Sequence, residues 1–360
     1  MNQFINVQQS ILGRLSSPVS TCFLSRIGWE SNLRIMVNAL GSRRTRVNAA
    51  NYASAIGLSH ITEQTLIDAA DYVDQVAKMP CVPGQHVISK TILKQFGKRG
   101  VAQYIDLRIG AYDYSRKIML KPISPSAAGK IDNFIKIDSS TTEALWQRVE
   151  NDFNLALKRA CANPTSLSAD TLKTFLDILA LHLIRSPGIQ EQEATIVDAI
   201  RPKARSEFEK ELGCRITDAQ WEEFSRGFGK MKNSGFLFRC RAEYLFGAAR
   251  QLLSNWTLTF LSFPTSEVLC ISDRPLISIM FDVTTNQIVQ TNKALDDVSG
   301  LVMPIHPNSA IFASNPKHPL SVAPSANDII KLEIMSGKEW LYFPLHAEAN
   351  LAPIIASLRP

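Results

Sequence analysis

Several features are missing from this 360-residue sequence, and each absence removes a class of protein. The six cysteines include no Cys-x-x-Cys pair, so the usual spacing of zinc sites and of thioredoxin-like redox sites is missing. No uninterrupted apolar run approaches the roughly 20 residues of a membrane span. The first residues do not form a basic-then-apolar signal peptide. We therefore expect a cytoplasmic protein with reduced cysteines and no membrane segment.

The signatures of several enzyme classes are missing as well. The sequence has no Gly-x-x-x-x-Gly-Lys-Ser/Thr phosphate loop, no Gly-x-Gly-x-x-Gly dinucleotide turn, no His-Glu-x-x-His zinc motif and no Gly-x-Ser-x-Gly elbow. The Pro-Asp…Asp/Glu-x-Lys arrangement of one metal-dependent nuclease fold is not found either. These absences leave open whether the protein is an enzyme.

The composition is that of an ordinary globular protein, with 45% hydrophobic and 20% charged residues. The length fits one large domain and a smaller one. Basic residues exceed acidic residues by 39 to 33, which gives a formal net charge of +6. This modest excess is compatible with a polyanionic partner and does not identify one.

The first 80 residues are predicted to form a helical unit. The clearest helix runs from Thr62 to Lys78, where Thr62 can cap the first turn and apolar residues fall on one face. The pattern of a basic helix, a turn at Gly57 and a second helix, over about residues 25–78, resembles the lid of AAA+ ATPases. Because the phosphate loop is missing, the resemblance implies a lid-like unit without its motor. A linker, Pro80–Gly84, separates it from the rest.

The remaining residues, 85–360, predict an α+β domain with a central helical section and a mainly antiparallel C-terminal sheet. We predict a β-hairpin with arms at Tyr104–Ile109 and Lys117–Lys121 around a turn at Gly110–Ser115. A helix is predicted over about Ser168–Arg185, and short strand-like runs fill the last hundred residues.

Two polar clusters stand in strongly apolar surroundings, where an unpaired polar group costs free energy. The first is at His86, which is either a general acid or base or a structural histidine bonded to the backbone. The second is Ser272–Pro275, where Asp273 follows an apolar strand. Asp273 is either a catalytic or metal-binding acid or part of a turn that bonds its own backbone.

Arg185 ends an apolar helix and needs a carboxylate partner, for which Asp273 and Glu150 are candidates. The alternative to a structural ion pair is that Arg185 binds a substrate phosphate or carboxylate. If His86, Arg185 and Asp273 converge, they would suit phosphodiester cleavage as base, anion clamp and metal or water ligand. The sequence identifies no cofactor, and Mg²⁺ and Mn²⁺ are the candidates.

A basic run in the second half of the chain alternates with aromatic residues. Its members are Arg226, Lys230, Lys232, Arg239 and Arg241. Such a run follows a nucleic-acid backbone and stacks bases, or it is a solvated basic loop between core aromatics.

From about Gln85 to the C-terminus the chain resembles the family called domain of unknown function 4238 (DUF4238). Gln85–Phe96 is similar to the family's opening His-Tyr-Val-Pro-x-x-x-Leu-x-x-Phe, and Cys270–Pro275 to its Ser-Asp-x-Pro after a strand. Ile88-Ser89 replaces the usual Val-Pro, and Arg274 stands where Asn is frequent. The family's activity is itself unsettled, so the resemblance implies a fold and a candidate site and no reaction.

These observations lead to two hypotheses on function. The first is a microbial protein that binds or cleaves nucleic acid, a nuclease-like effector in defence or on a mobile element. The second is a non-enzymatic module whose N-terminal helices dock a partner ATPase or regulator. Nucleic-acid binding weakens steeply as salt rises, whereas an apolar docking surface does not.

Overall fold

The computed structural model of the protein describes residues 84–98, 106–132, 134–136, 139–187, 205–206, 215, 217–219, 221–222, 236–291, 293 and 295–359. The predicted N-terminal unit, residues 1–80, lies outside the described residues. Its resemblance to AAA+ lids therefore stays a prediction.

Helices and strands follow one another in the described residues. The α-helices with described bounds are α1 Lys90–Gln95, α2 Ser139–Asn151, α3 Phe153–Ala162, α4 Ala169–Ile184, α5 Phe236–Leu253, α6 Ala326–Ser336 and α7 Glu348–Leu358. The strands are β1 Gln85–His86, β2 Gly110–Asp113, β3 Ile118–Met119, β4 Lys130–Ile131, β5 Thr257–Ser262, β6 Ile271–Ser272, β7 Ile277–Asp282, β8 Gln287–Gln290, β9 Gly300–His306, β10 Ser309–Ser314 and β11 Trp340–Phe343.

The strands form three sheets in which every pair is antiparallel. The two-stranded sheet joins β1 to β4, the five-stranded sheet has the order β5-β10-β9-β7-β8, and the four-stranded sheet has the order β3-β2-β11-β6. Helices α2 to α5 come between the N-terminal hairpin and the larger sheet. This confirms the predicted α+β fold class with its antiparallel C-terminal sheet.

Helix α4 is the buried centre of the helical section. Ser168 caps its first turn by accepting a hydrogen bond from the backbone N–H of Thr171. Phe175, Ile178 and Leu179 are fully buried, and α4 packs against α2, α3 and α5. Burial of each large apolar side chain contributes about 1.5–3 kcal/mol, so α4 holds the helices together. Its bounds agree with the predicted helix.

The predicted hairpin is present with its turn in a different place. Gly110–Asp113 is a buried strand that pairs with β11, and the turn is Tyr114–Lys117. Asp113 accepts hydrogen bonds from the backbone N–H groups of Ser115 and Arg116, which closes the turn. Gly110 lies in a strand and allows the Phe343 ring to approach the backbone closely. A Cβ at this position would lie 2.3 Å from that ring. The prediction of Gly110–Ser115 as the turn was wrong for this reason.

No helix in the part of the chain that the structure describes combines the length and the apolar character that crossing a bilayer requires.

Candidate functional site

The first predicted cluster begins at the short strand β1. The Gln85 side chain is buried and exchanges two hydrogen bonds with the backbone of Ile135, at 2.8 Å and 2.6 Å. His86 lies directly opposite Lys130 in the β1–β4 ladder, so their side chains project on the same side. This pairing holds the imidazole beside a cation.

His86 is half-buried and surrounded by more positive than negative charge. Burial, and after it the charges of Lys130, Arg185 and Lys90, lower its pKa to about 4, while Glu150 acts in the opposite sense. The ring is therefore neutral near pH 7 and can accept a proton. Its Nδ1 atom is buried without a hydrogen-bond partner among the described residues. The alternative of a structural histidine bonded to backbone is therefore not met at this nitrogen in the described structure.

Arg185 is buried among acidic and aromatic side chains of α2. Its guanidinium donates a hydrogen bond to Glu150, lies 4.0 Å from Glu143 and stacks 4.3 Å from the centre of the Trp146 ring. Glu143, Trp146 and Glu150 fall three and four residues apart, which places them on one face of α2. Burial raises the pKa of Glu143, and Arg185 opposes this.

His182 connects this group to the His86 segment. Its Nε2 accepts the backbone N–H of Ser89 at 3.1 Å, and its Nδ1 lies 2.8 Å from the carbonyl of Ile178. Because an N–H group must donate to the first and a carbonyl must accept from the second, the ring is the neutral tautomer with the proton on Nδ1. Burial lowers its pKa to about 4. We call Glu143, Trp146, Glu150, His182 and Arg185 the Arg185 cluster.

Unsatisfied polar atoms are concentrated around the Arg185 cluster. Buried atoms without a hydrogen-bond partner in the described structure include His86 Nδ1, Ser89 Oγ, Glu143 Oε1 and Arg185 Nε. Each such atom costs about 1–3 kcal/mol when nothing satisfies it. A concentration of such atoms beside His86 is expected of a site in which water or a ligand supplies the missing hydrogen bonds.

The second predicted cluster lies between strand β6 and helix α6. The Asp273 carboxylate accepts the backbone N–H groups of Lys338 and Glu339 at 2.8 Å and 3.0 Å, and its own N–H donates to the carbonyl of Trp340. Burial raises its pKa, and these two backbone hydrogen bonds oppose the rise. Asp273 thus fastens the turn between α6 and β11.

A second carboxyl group lies beside Asp273. Glu333 is fully buried, and one of its oxygens accepts the backbone N–H of Ser272 at 2.7 Å. Burial raises the pKa of Glu333 well above its ordinary value. The Ser272 hydroxyl lies 3.1 Å from that of Ser336. We call Ser272, Asp273, Glu333 and Ser336 the Asp273 cluster.

The structure brings two of the three predicted site residues together. His86 and Arg185 share one electrostatic environment with Glu150, whereas the described contacts of Asp273 are with the turn at 338–340. The segments are linked indirectly. The Tyr342 hydroxyl accepts the Gly129 N–H at 2.9 Å, and the Gly129 carbonyl accepts the N–H of Val87 at 2.8 Å.

This geometry favours the structural alternatives for two of the predicted residues. Arg185 is 2% exposed and already bound to Glu150, one of its two predicted partners. Both oxygens of Asp273 are occupied by backbone donors. Among the described residues, no group of three or more His, Cys, Asp or Glu side chains is arranged to hold a metal ion. A metal at Asp273 stays a prediction.

The predicted nucleic-acid-binding run falls mostly outside the description. Arg226, Lys230 and Lys232 are not among the described residues, and Arg239 and Arg241 lie in α5 without described side chains. Their role in binding therefore stays a prediction.

Several residues around His86 and Arg185 were not identified as functional from the sequence, among them Glu143, Trp146 and Lys130. Glu143 lies inside α2, which begins at Ser139. Trp146 and Lys130 carried no separate signal. The spacing of Glu143, Trp146 and Glu150 on one helix face could have indicated a binding face for a buried arginine.

Comparison with known proteins gives one match. The sequence profile of the family described as "Protein of unknown function (DUF4238)" matches residues 84–329. No curated protein and no solved structure matches the chain. The matched range begins two residues before His86 and ends within α6, while strand β11 beyond it completes the four-stranded sheet. The match covers more than half of the sequence, and the chain therefore belongs to the DUF4238 family.

Proposed function

We propose that this protein binds nucleic acid at His86 and acts on it as a nuclease-like effector. The observation that supports the proposal is a neutral, half-buried imidazole with an unpartnered nitrogen, placed among Lys130, Arg185 and Lys90. Cations around a neutral base attract a phosphodiester and leave the base free to take a proton.

In the proposed reaction His86 takes a proton from a water molecule whose oxygen attacks phosphorus. The P–O bond to one ester oxygen then breaks, and the departing alkoxide takes a proton from solvent. With a pKa of about 4, His86 is a weak base in the free protein. A bound phosphodiester would offset the charges of Lys90 and Lys130 and so raise the pKa of His86 toward neutrality, where a general base is most effective. Substrate binding would thus tune the base.

Arg185 acts in this proposal as a positioning residue. Its ion pair with Glu150 fixes the charges that surround His86, and it has no exposed surface for substrate. Asp273 supports the fold at the far end of the Tyr342–Gly129 connection. A metal ion held by the substrate phosphate needs few protein ligands. The cleavage assay therefore tests whether activity depends on Mg²⁺ or Mn²⁺.

The proposed setting is the cytoplasm of a microbial cell, in defence or on a mobile element. The support for the compartment is cysteine usage: the described cysteines, Cys161 and Cys270, are free thiols, as reducing conditions favour.

The test is cleavage of single- and double-stranded DNA and RNA by the purified full chain, with and without Mg²⁺ or Mn²⁺. His86→Ala should reduce the rate by about 10²–10⁴-fold, the usual contribution of a general base. His318→Ala, at an exposed histidine of another loop, is the matched control and should cleave normally. Circular dichroism checks that both variants fold.

A second readout does not need turnover. The imidazole resonances of His86, assigned by their loss in His86→Ala, should titrate near pH 4 in the free protein and at higher pH with a bound dinucleotide. Wild type without cleavage in any condition would refute the catalytic part of the proposal.

One observation favours the alternative of a docking module. The family match begins at residue 84, so the preceding residues, with the predicted helix Thr62–Lys78, lie outside the matched range. A separate segment of this kind is suited to recruiting a partner, which we propose to be an ATPase or a regulator. Absence of both cleavage and salt-sensitive binding to nucleic acid would make docking the better explanation.

A further inference from the structure

The positive charge of this chain is concentrated in one segment. Residues 84–136 contain ten lysines and arginines and three acidic residues, a net charge of +7, whereas the whole chain carries +6. The other 307 residues are therefore close to neutral. A uniform excess would serve only solubility, but an excess confined to 53 residues creates a local field.

Four lysines place that charge beside and along helix α1. Lys130 stands opposite His86 in the β1–β4 ladder, and Lys90 acts on the same imidazole from the start of α1. Lys94 follows one helical turn later, on the face of Lys90, and Lys98 comes after the helix. We call Lys90, Lys94, Lys98 and Lys130 the lysine face.

The lysine face is not neutralised by carboxylates. Lys94, Lys98 and Lys130 are exposed, and none of the four lysines forms an ion pair in the described structure. In contrast, Arg250 on α5 is paired with Asp177 at 2.5 Å. Lysines without an ion-pair partner are available to a polyanion, because no ion pair must break first.

Among the described residues of this segment, no aromatic side chain is exposed for stacking bases. Its described aromatic residues are Phe96, Tyr112, Tyr114 and Phe134, and each of them is at most 9% exposed. Proteins that hold single strands combine basic residues with exposed aromatics on which bases stack. Cations without exposed aromatics fit a regular phosphate backbone, whose bases are already stacked within the duplex.

We propose that the lysine face binds the phosphate backbone of double-stranded nucleic acid and directs one phosphodiester to His86. The duplex lies along α1, with Lys94 and Lys98 on phosphates beyond the reacting one. This deepens the proposed function, and it rests on its nucleic-acid-binding part but not on cleavage.

The test measures the affinity of the full chain for a fluorescent duplex and for one of its single strands as salt is varied. Four lysine–phosphate contacts give a slope of about −3.6 in log K against log salt, so affinity should fall roughly 150-fold from about 50 to 200 mM. Lys94→Gln with Lys98→Gln should reduce the slope to about −1.8. The matched control is Lys293→Gln with Lys331→Gln, an equal charge change at exposed lysines elsewhere, which should keep the wild-type slope.

The outcomes separate this inference from the proposed catalysis. Duplex binding that depends on Lys94 and Lys98 but is unchanged in His86→Ala upholds the lysine face, whether or not wild type cleaves. Cleavage by wild type with duplex affinity unchanged in the Lys94/Lys98 variant overturns the lysine face and leaves catalysis intact. Tighter binding of the single strand, or an equal loss in the control variant, also overturns it.

Discussion

The two polar clusters solve the same physical problem in different ways. Both place carboxyl groups in an apolar interior, where an isolated charge is expensive. In the Arg185 cluster the charge of Glu150 is met by the guanidinium of Arg185. In the Asp273 cluster the Asp273 carboxylate is met by two backbone N–H groups, and burial raises the pKa of Glu333 well above its ordinary value. The first cluster thus pairs its carboxylate with a buried cation, whereas the second relies on backbone donors and on a raised carboxyl pKa.

This difference bears on function. A cluster of retained charges keeps a field that acts on neighbours, as Arg185 and Glu150 both act on the pKa of His86. The Asp273 cluster is bonded mainly to the backbone of a turn, which it stabilises. We therefore expect variants of the first cluster to affect stability and activity together, and variants of the second to affect stability.

The largest effect should come from breaking the buried ion pair. Arg185→Leu leaves Glu143 and Glu150 without their cation and should lower the free energy of unfolding by about 3–5 kcal/mol, measured with urea. The matched control is Arg250→Leu, which breaks a more exposed pair with Asp177 and should cost about 1 kcal/mol or less. An equal loss of free energy of unfolding in the two variants would mean that burial does not make the Arg185 ion pair more important for stability than the Arg250 ion pair.

Acid should weaken the link between the Arg185 cluster and α1. The pKa of His182 is lowered to about 4 in the folded protein from 6.5, so the unfolded chain binds the proton more readily. The contribution of neutral His182 to the free energy of unfolding is complete above pH 6.5. It is lost as pH falls toward 4, by up to about 3 kcal/mol. Urea unfolding at pH 7 and pH 5 should show that His182→Gln loses less free energy of unfolding than wild type between these pH values, because glutamine gains no proton in this range. An identical pH dependence in both proteins would contradict the assignment.

The Asp273 cluster should respond to loss of its acceptors. Asp273→Ala leaves the N–H groups of Lys338 and Glu339 without partners and should cost about 1–3 kcal/mol in thermal unfolding. Asp273→Asn retains one acceptor oxygen and should cost less. If Asp273→Asn keeps wild-type stability but abolishes cleavage, the predicted catalytic or metal-binding role of Asp273 is restored.

The smallest effect is expected at Glu333. Because burial raises the pKa of Glu333 and so favours its neutral form, we expect Glu333→Gln to cost less than about 1 kcal/mol at pH 7. Stability due to a raised carboxyl pKa is complete below the ordinary value of 4.5 and is lost as pH rises. Glu333→Gln should therefore be more stable than wild type at pH 9, and the opposite order would show that Glu333 is charged.

The elements with strong local signals could be predicted from the sequence. Helix α4 has a capping serine and a buried apolar face, and β8 and β11 lie where strand-like runs were predicted, in the last hundred residues. The hairpin at Gly110 was misplaced because glycine suits a turn locally, and only the neighbouring strand shows that it admits the Phe343 ring. Local propensity cannot reveal a contact between residues 233 positions apart.

The amino-acid sequence alone was enough to select the residue types of the candidate site. His86, Arg185 and Asp273 could be selected because polar residues in apolar surroundings need partners. The choice of partners was a matter of tertiary structure: Arg185 faces Glu150 and not Asp273, and His86 faces Lys130. Which of several carboxylates meets a buried cation depends on how the helices pack, and so does the difference between a carboxylate paired with a cation and one held by backbone donors.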